Sequence, residues 1–252
     1  MIILKSPEEI DRMRHAGRVV ALTIDRLLEA VCPGMTTADL DALAEKSVRG
    51  EGALLSFKGY KGFPGTICTS LNEQVVHGIP GKRQLIPGDV LKLDVGAIWE
   101  GYHADSAVSV FVGGAPSPAA QKLVEVTEES LEAGIGQLQV GGRLSDVGHA
   151  VQKVAEGAGF SVVREYAGHG VGRALHEDPQ VPNYGDPGRG PLIKPGLVVA
   201  IEPMVNLGTW RTRVLPDRWT VVTLDGKLSS HFEHTIAVTG EGPEVLTARP
   251  AA

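Results

Sequence analysis

The sequence predicts an α+β fold, and three features predict it. Helical and strand-like runs are mixed without strict βαβ alternation. A long hairpin is legible over residues 90–112. The order of breaks, caps and strands also recurs once, at an offset of 108 residues. Break, cap and helix around Gly34 and Thr37 return at Gly142 and Ser145. Pro87, Gly88 and Asp94 of L-I-P-G-D-V-L-K-L-D fall on Pro195, Gly196 and Glu202 of I-K-P-G-L-V-V-A-I-E. Periods of about 20–50 residues mean solenoids; one long repeat instead means two similar halves, about 1–113 and 114–252, in a single 252-residue domain. Halves facing each other across a pseudo-twofold would put Asp94 and Glu202 in one shared site.

Ser6 before Pro7, Glu8 and Glu9 reads as a helix start, with a cap, Pro at the first helical position and acids in the first turn. Ile10, Met13, Val20, Leu27 and Leu28 carry its apolar face to about Val31, and Pro33-Gly34 ends it. Thr37 caps a second helix with Leu40, Leu43 and Val48, which stops at Gly50-Glu51-Gly52. Residues 54–76 read as strands and turns, and His77 to Gly81 as a tight loop. In the hairpin, Glu100-Gly101 is a two-residue turn, so Trp99 faces Tyr102, Leu91 meets Val110, Leu93 meets Val108 and Val95 meets Ser106. The opposite face carries Asp94 and Asp105 as diagonal neighbours, because Asp94 lies across from Ala107. Diagonal Cβ atoms lie about 7–8 Å apart, which lets two carboxylates converge on a pair of metal ions about 3.5–4 Å apart. Helices follow from Pro118 to about Leu138 and, capped by Ser145, to Gly157 or Gly159. Phe160–Tyr166 is a strand, then come the G-H-G-V-G loop and a Pro/Gly-rich stretch over 178–196. Leu197–Val205 is a strand, and the last strands lie near 219–224 and 231–239.

Apolar residues make up 42% of the chain and charged ones 21%, as in ordinary globular proteins. A net charge of −6 without a Lys/Arg cluster argues against nucleic-acid binding. Two cysteines, Cys32 and Cys68, imply no disulfide framework and fit a reducing compartment. The start M-I-I-L-K-S-P-E-E-I reaches charge too early for a secretory leader, and no run of 18 apolar residues offers a membrane span. A cytoplasmic location is expected.

Asp94, Asp105, His169, Glu202 and Glu233 are candidate metal ligands on strands or strand ends. Glu202 interrupts the apolar V-V-A-I-E-P-M-V, and Glu233 sits in S-H-F-E-H-T-I-A-V. Acids inside apolar strands are rarely left unpaired. Four carboxylates and one imidazole suit Mn²⁺, Fe²⁺, Co²⁺ or Zn²⁺. Two such ions can acidify a shared water near neutral pH, so the reaction class is hydrolysis of an acyl or phosphoryl bond. His77 and His176 occupy loops beside Gly or Pro, where a backbone approaches a ligand, and their chemistry-free reading is turn residues bonded to local carbonyls. His103 is near Asp105 on the hairpin and is a candidate outer partner for it. G-H-G-V-G fails the dinucleotide test, because no long helix follows. Cys68, in T-I-C-T-S with no adjacent base, reads as a lining residue.

These residues resemble the type I methionine aminopeptidases of peptidase family M24, along essentially the whole chain. The resemblance rests on F-P-G-T-I-C-T-S-L-N-E-Q-V-V-H-G-I-P, L-K-L-D-V-G-A-I-W-E-G-Y-H-A-D-S, V-V-R-E-Y-A-G-H-G-V-G-R-A-L-H-E-D-P-Q-V, K-P-G-L-V-V-A-I-E-P-M and W-T-V-V-T-L-D-G-K-L-S-S-H-F-E-H-T. It implies the pseudo-symmetric pita-bread fold, a central antiparallel sheet covered by helices, and removal of the amino-terminal methionine of nascent polypeptides by a dinuclear metal centre with a bridging water. By this resemblance the ligands are Asp94, Asp105, His169, Glu202 and Glu233, with Asp94 bidentate and Asp105 and Glu233 bridging. His77 contacts the substrate amide nitrogen, His176 stabilises the carbonyl as it becomes an oxyanion, and Glu202 shuttles the water's proton to the leaving amine. The methionine pocket maps onto Tyr60, Phe63, Cys68, Leu175 and Trp219. The sequence departs from the family at Leu175, where an aromatic is usual, and at Gly96, Ala104 and Ser106, where Thr, Gly and Thr are frequent. The resemblance further implies a compact bacterial form, with only 31 positions from Glu202 to Glu233 and so no room for the type II helical insertion. A monomer is expected, and association with the ribosome. Cleavage before proline on the same fold, or a metal-free binding module, are the competing readings.

Overall fold

The computed structural model describes residues 1–114 and 117–249. Helix α1 (Pro7–Ala30) begins at a full capping box, Ser6 with Glu9, and helix α2 (Thr37–Gly50) at a second, Thr36 with Asp39. The cap of α2 is therefore Thr36 and not Thr37, which is the first helical residue and donates its hydroxyl to the Gly81 carbonyl. Then come β1 (Leu54–Leu55), a 3-10 turn at Tyr60–Gly62, β2 (Ile67–Leu71), β3 (Gln74–Val76), β4 (Val90–Trp99) and β5 (Tyr102–Phe111). Helices α3 (Pro118–Ile135) and α4 (Ser145–Gly157) lead to β6 (Ser161–Val162), β7 (Gly168–Gly170) and β8 (Glu177–Val181). The chain ends in β9 (Val198–Ile201), β10 (Met204–Asn206), β11 (Thr212–Val214), β12 (Val221–Thr223), β13 (Ser229–His231), β14 (His234–Thr239) and β15 (Gly242–Val245).

The hairpin β4–β5 has the expected register, Trp99 opposite Tyr102 and Asp94 opposite Ala107. Glu100 (φ 47°) and Gly101 (φ 80°) both take positive φ, the type I′ condition that matches the twist of paired strands. Strand β4 pairs with β5 on one edge and with β2 and β1 on the other. A second sheet runs β15-β14-β9-β7-β8, and two three-stranded sheets, β13-β10-β6 and β11-β12-β3, complete the set. All strand pairs among the described residues are antiparallel.

The two larger sheets meet at one point. Ala107 and Glu233 exchange backbone hydrogen bonds of 3.2 and 2.9 Å. Beside this bridge, the Ser106 hydroxyl donates to the Glu233 carbonyl (2.5 Å) and Thr235 bonds Asp105 at both backbone and carboxylate. Helices α1 and α2 cover the β4–β5 layer, and α3 packs with α4 over β9, β10 and β13. Leu91, Leu93 and Val95 of β4 join Val19, Val20 and Leu27 of α1 in the main core, which Ile201 and Ile236 also enter.

Four further expectations are corrected. Ser145 does not cap α4: Leu144, already helical at φ −60° and ψ −31°, precedes the helix, and the Ser145 hydroxyl instead accepts from the Arg189 amide. Only Ser161–Val162 pairs within the expected strand 160–166. The strand expected over 197–205 is broken at Glu202-Pro203, where proline supplies no ladder donor. The run 231–239 is likewise interrupted at Phe232-Glu233.

Candidate metal centre and substrate cavity

Each interruption delivers an acid. Asp94 and Asp105 come from β4 and β5, Glu202 from the gap between β9 and β10, and Glu233 from the gap between β13 and β14. His169 is the centre of β7 and pairs with Ala200 of β9. Its flanking glycines are required by close approach: a Cβ on Gly168 would lie 2.3 Å from the Ala200 carbonyl oxygen, and one on Gly170 would lie 2.2 Å from that of Asp178. The G-H-G pattern thus serves backbone packing around an imidazole.

His169 Nδ1 lies 3.0 Å from the Gly170 carbonyl oxygen, which only accepts, so Nδ1 carries the proton. The Nε2 lone pair then faces Asp105 Oδ2 at 3.6 Å and Glu202 Oε1 at 3.5 Å. Asp105, His169 and Glu233 offer ligand atoms that all lie within 4.8 Å of one another. Burial, and then repulsion from Asp105, lifts Asp94 to about 8. Burial lifts Asp105 to about 6 against the pull of the Thr235 hydroxyl. Glu202 and Glu233 are pushed well above the carboxylate range by burial first and by the other acids second. Burial lowers His169 to about 4, which keeps it in the neutral form that ligates at pH 7.

Lone pairs facing carboxylates, four mutually repelling acids and an Asp94 Oδ1 that is buried without a hydrogen-bond partner form a site that wants cations. The donor set fits divalent metal ions of the oxygen- and nitrogen-seeking kind.

All five residues line one cavity of about 180 Å³. Its apolar wall is a cluster of Phe57, Phe63, Cys68 and Leu175, all buried, with Tyr60, Ile79 and Trp219 against it. Cys68 sits opposite Asp94 in the β2–β4 register, and burial raises its thiol far above the ordinary range, so it is no thiolate nucleophile. Phe63 and Trp219 meet edge to face at 5.1 Å. At the mouth, His176 Nδ1 lies 2.9 Å from the Tyr60 hydroxyl, the two rings stack at 5.3 Å, and the His176 and His169 rings are 4.1 Å apart. His77, held at φ 59°, sets its ring edge-on to Tyr166 and Trp219. Burial holds both His77 and His176 at about 4.

His103 does not turn to Asp105; its Nδ1 lies 2.7 Å from the Ser56 hydroxyl. Three features were not foreseen. Thr235 orients Asp105, Phe57 completes the apolar wall, and His231 lines the cavity with its Nε2 buried and unpartnered. The signal for Phe57 was Gly96: a Cβ there would lie 2.5 Å from the Phe57 ring, so the missing side chain on β4 leaves room for that ring.

Fold and donor set together define a metal-dependent hydrolase. The sequence pattern of metallopeptidase family M24 matches residues 11–240. The chain belongs to that family, among the methionine aminopeptidases. Methionine aminopeptidase 1 of Bacillus subtilis is 55% identical over 247 residues, covering 98% of this chain and 99% of that protein. The methionine aminopeptidase of Clostridium perfringens is 51% identical over the same shares of the two chains. The solved methionine aminopeptidase of Thermotoga maritima superimposes with a TM-score of 0.96 at 45% identity, over 99% of this chain and 100% of that one. The prolidase of Pyrococcus furiosus, 20% identical with a TM-score of 0.80 over 99% of this chain and 66% of that one, shares the fold. The architecture is the pita-bread α+β fold. No helix among the described residues is long and apolar enough to cross a membrane.

Proposed function

We propose that this chain removes the amino-terminal methionine of nascent polypeptides in the cytoplasm, using two divalent ions (Co, Mn, Fe or Zn) held by Asp94, Asp105, His169, Glu202 and Glu233. The observation that carries this reading is the junction of two chemistries in one cavity. Four acids and His169 border a wall of aromatic rings, a thiol and Leu175. Such a wall suits an unbranched thioether. When bound, the ions polarise the scissile carbonyl and make a water nucleophilic near neutral pH.

The chain's own residues supply the rest. Tyr60, Phe63, Cys68, Leu175 and Trp219 take the methionine side chain and exclude water from it. His176 is neutral at pH 7, and in the tautomer whose Nδ1 accepts from the Tyr60 hydroxyl its Nε2–H is free to donate to the carbonyl oxygen as negative charge develops. His77 holds the amide nitrogen of the bond to be cut. Glu202, whose carboxyl affinity for a proton is raised by burial, takes up a proton and passes it to the leaving amine. The monomer folds as one domain of two similar halves, meets nascent chains at the ribosome, and needs no nucleic-acid or membrane contact of its own.

Cleavage of Met-Ala-Ser against Xaa-Pro peptides tests the assignment: faster release of methionine is expected, and preference for Xaa-Pro would overturn it. His176→Ala is expected to lower kcat by about 10²–10³-fold, the usual cost of one oxyanion donor, with KM little changed. A pure KM effect would limit His176 to substrate binding.

A further inference from the structure

Lys92 carries a buried amine that the reaction does not use. It is 1% exposed, on the face of β4 that also carries Asp94 two residues on. Lysine is almost never fully buried without a counter-charge, yet no carboxylate pairs with Lys92 among the described residues. Asp89, three residues before it, pairs with Arg83. Instead Lys92 Nζ donates to two backbone carbonyls, those of Asn72 at 2.8 Å and Ser229 at 3.1 Å. Asn72 lies in the connection between β2 and β3 at φ 52°, and its carbonyl also accepts from the Ser229 amide at 3.0 Å. Its side chain is engaged as well, donating to Asp89 and accepting from the Val90 amide.

Three segments therefore converge on one side-chain amine. The first is β4, which delivers Asp94. The second joins β2 to β3, the strands of Cys68 and Val76. The third is β13, whose exit delivers Glu233. Packing alone would be met by Met or Leu, without the cost of desolvating a charge. We propose that Lys92 is a positioning residue: its tethered amine, donating to both, draws the Asn72 and Ser229 carbonyls together and so sets the spacing of Asp94 and Glu233. This rests on the proposed metal centre. Outer partners of this kind typically tune metal affinity or activity by about 10–100-fold.

The test is Mn²⁺ binding by calorimetry to the intact chain, alongside kcat and KM on Met-Ala-Ser. Lys92→Met, close in shape and uncharged, is expected to weaken Mn²⁺ binding at least tenfold and lower kcat, with KM within about twofold of the parent. Lys92→Ala is expected to show the same loss, and propylammonium, which matches the three vacated carbons and the head, is expected to restore most of it. Parent-like Mn²⁺ affinity in Lys92→Met would overturn the proposal. So would loss of binding or folding in Lys92→Ala that propylammonium leaves unrepaired, since that is a packing defect. A parent chain that binds no Mn²⁺ would reject the metal centre itself, a separate result from an insensitive Lys92 variant beside a binding parent.

Discussion

Glu233→Ala is expected to bring kcat/KM for Met-Ala-Ser down by well over the 10–100-fold that loss of an outer partner costs. Glu233 offers its carboxylate beside Asp105 and His169, within 4.8 Å of both, and in the proposed centre it would serve both ions. Its removal unbalances the whole centre. Its backbone role is separate: the exchange of hydrogen bonds with Ala107 uses only main-chain atoms and survives the substitution. The variant should therefore keep its circular dichroism spectrum while calorimetry shows fewer Mn²⁺ ions bound per chain. Glu233→Gln, which keeps the shape and removes the charge, should fail in the same way. A few per cent of parental turnover at saturating Mn²⁺ in either variant would sink the assignment of a shared ligand.

The parts of this site that were legible in the sequence are those in which local chemistry and strand period agree. Glu100-Gly101 admits one tight turn, and with a side-chain period of two that turn fixes every partner along β4 and β5, Asp94 and Asp105 included. Glu202 and Glu233 stood out as acids in apolar runs. What escaped was non-local. Lys92 sits among Leu and Val in a strand, but its partners are main-chain carbonyls 20 and 137 residues away, which leave no mark in the sequence. Phe57 reaches the cavity through a space left by Gly96 on another strand. The breaks at Pro203 and Phe232 were hidden because β-rich residues continue on both sides, even though these breaks aim the two glutamates. Ser145 had cap chemistry, but a cap must be extended, and the chain enters α4 from a residue that is already helical.

Removing divalent metal is expected to make the folded chain lose stability as pH rises from 6.5 to 8, and to widen the gap between metal-loaded and metal-free Tm across the same window. Asp94 holds its proton to about 8, and Glu202 and Glu233 hold theirs well above the ordinary range. Unfolded, all three are ionised by pH 6.5. The folded state thus binds more protons than the unfolded one, and stability declines with pH by about 1.4 kcal/mol per unit for each proton in excess. The buried histidines run the other way, mainly at the foot of this window and below it, because unfolded imidazole titrates at about 6.5. His77 and His169 at about 4 and His231 at about 3 favour folding above the unfolded imidazole range and cease to do so as pH falls toward those values. Lys92, lowered to about 7 by burial, offsets one proton's worth above that pH, which leaves the carboxyls in the majority. In a chain of this size each kcal/mol corresponds to roughly 2–4 °C in Tm. With Mn²⁺ bound, the ionised carboxylates become the stable form, so metal affinity rises with pH. Scanning calorimetry of chelator-stripped and Mn²⁺-loaded protein at pH 6.5, 7.25 and 8 reads both curves. A stripped protein whose Tm stays level or climbs over that range would show that these acids are not crowded together in the absence of metal.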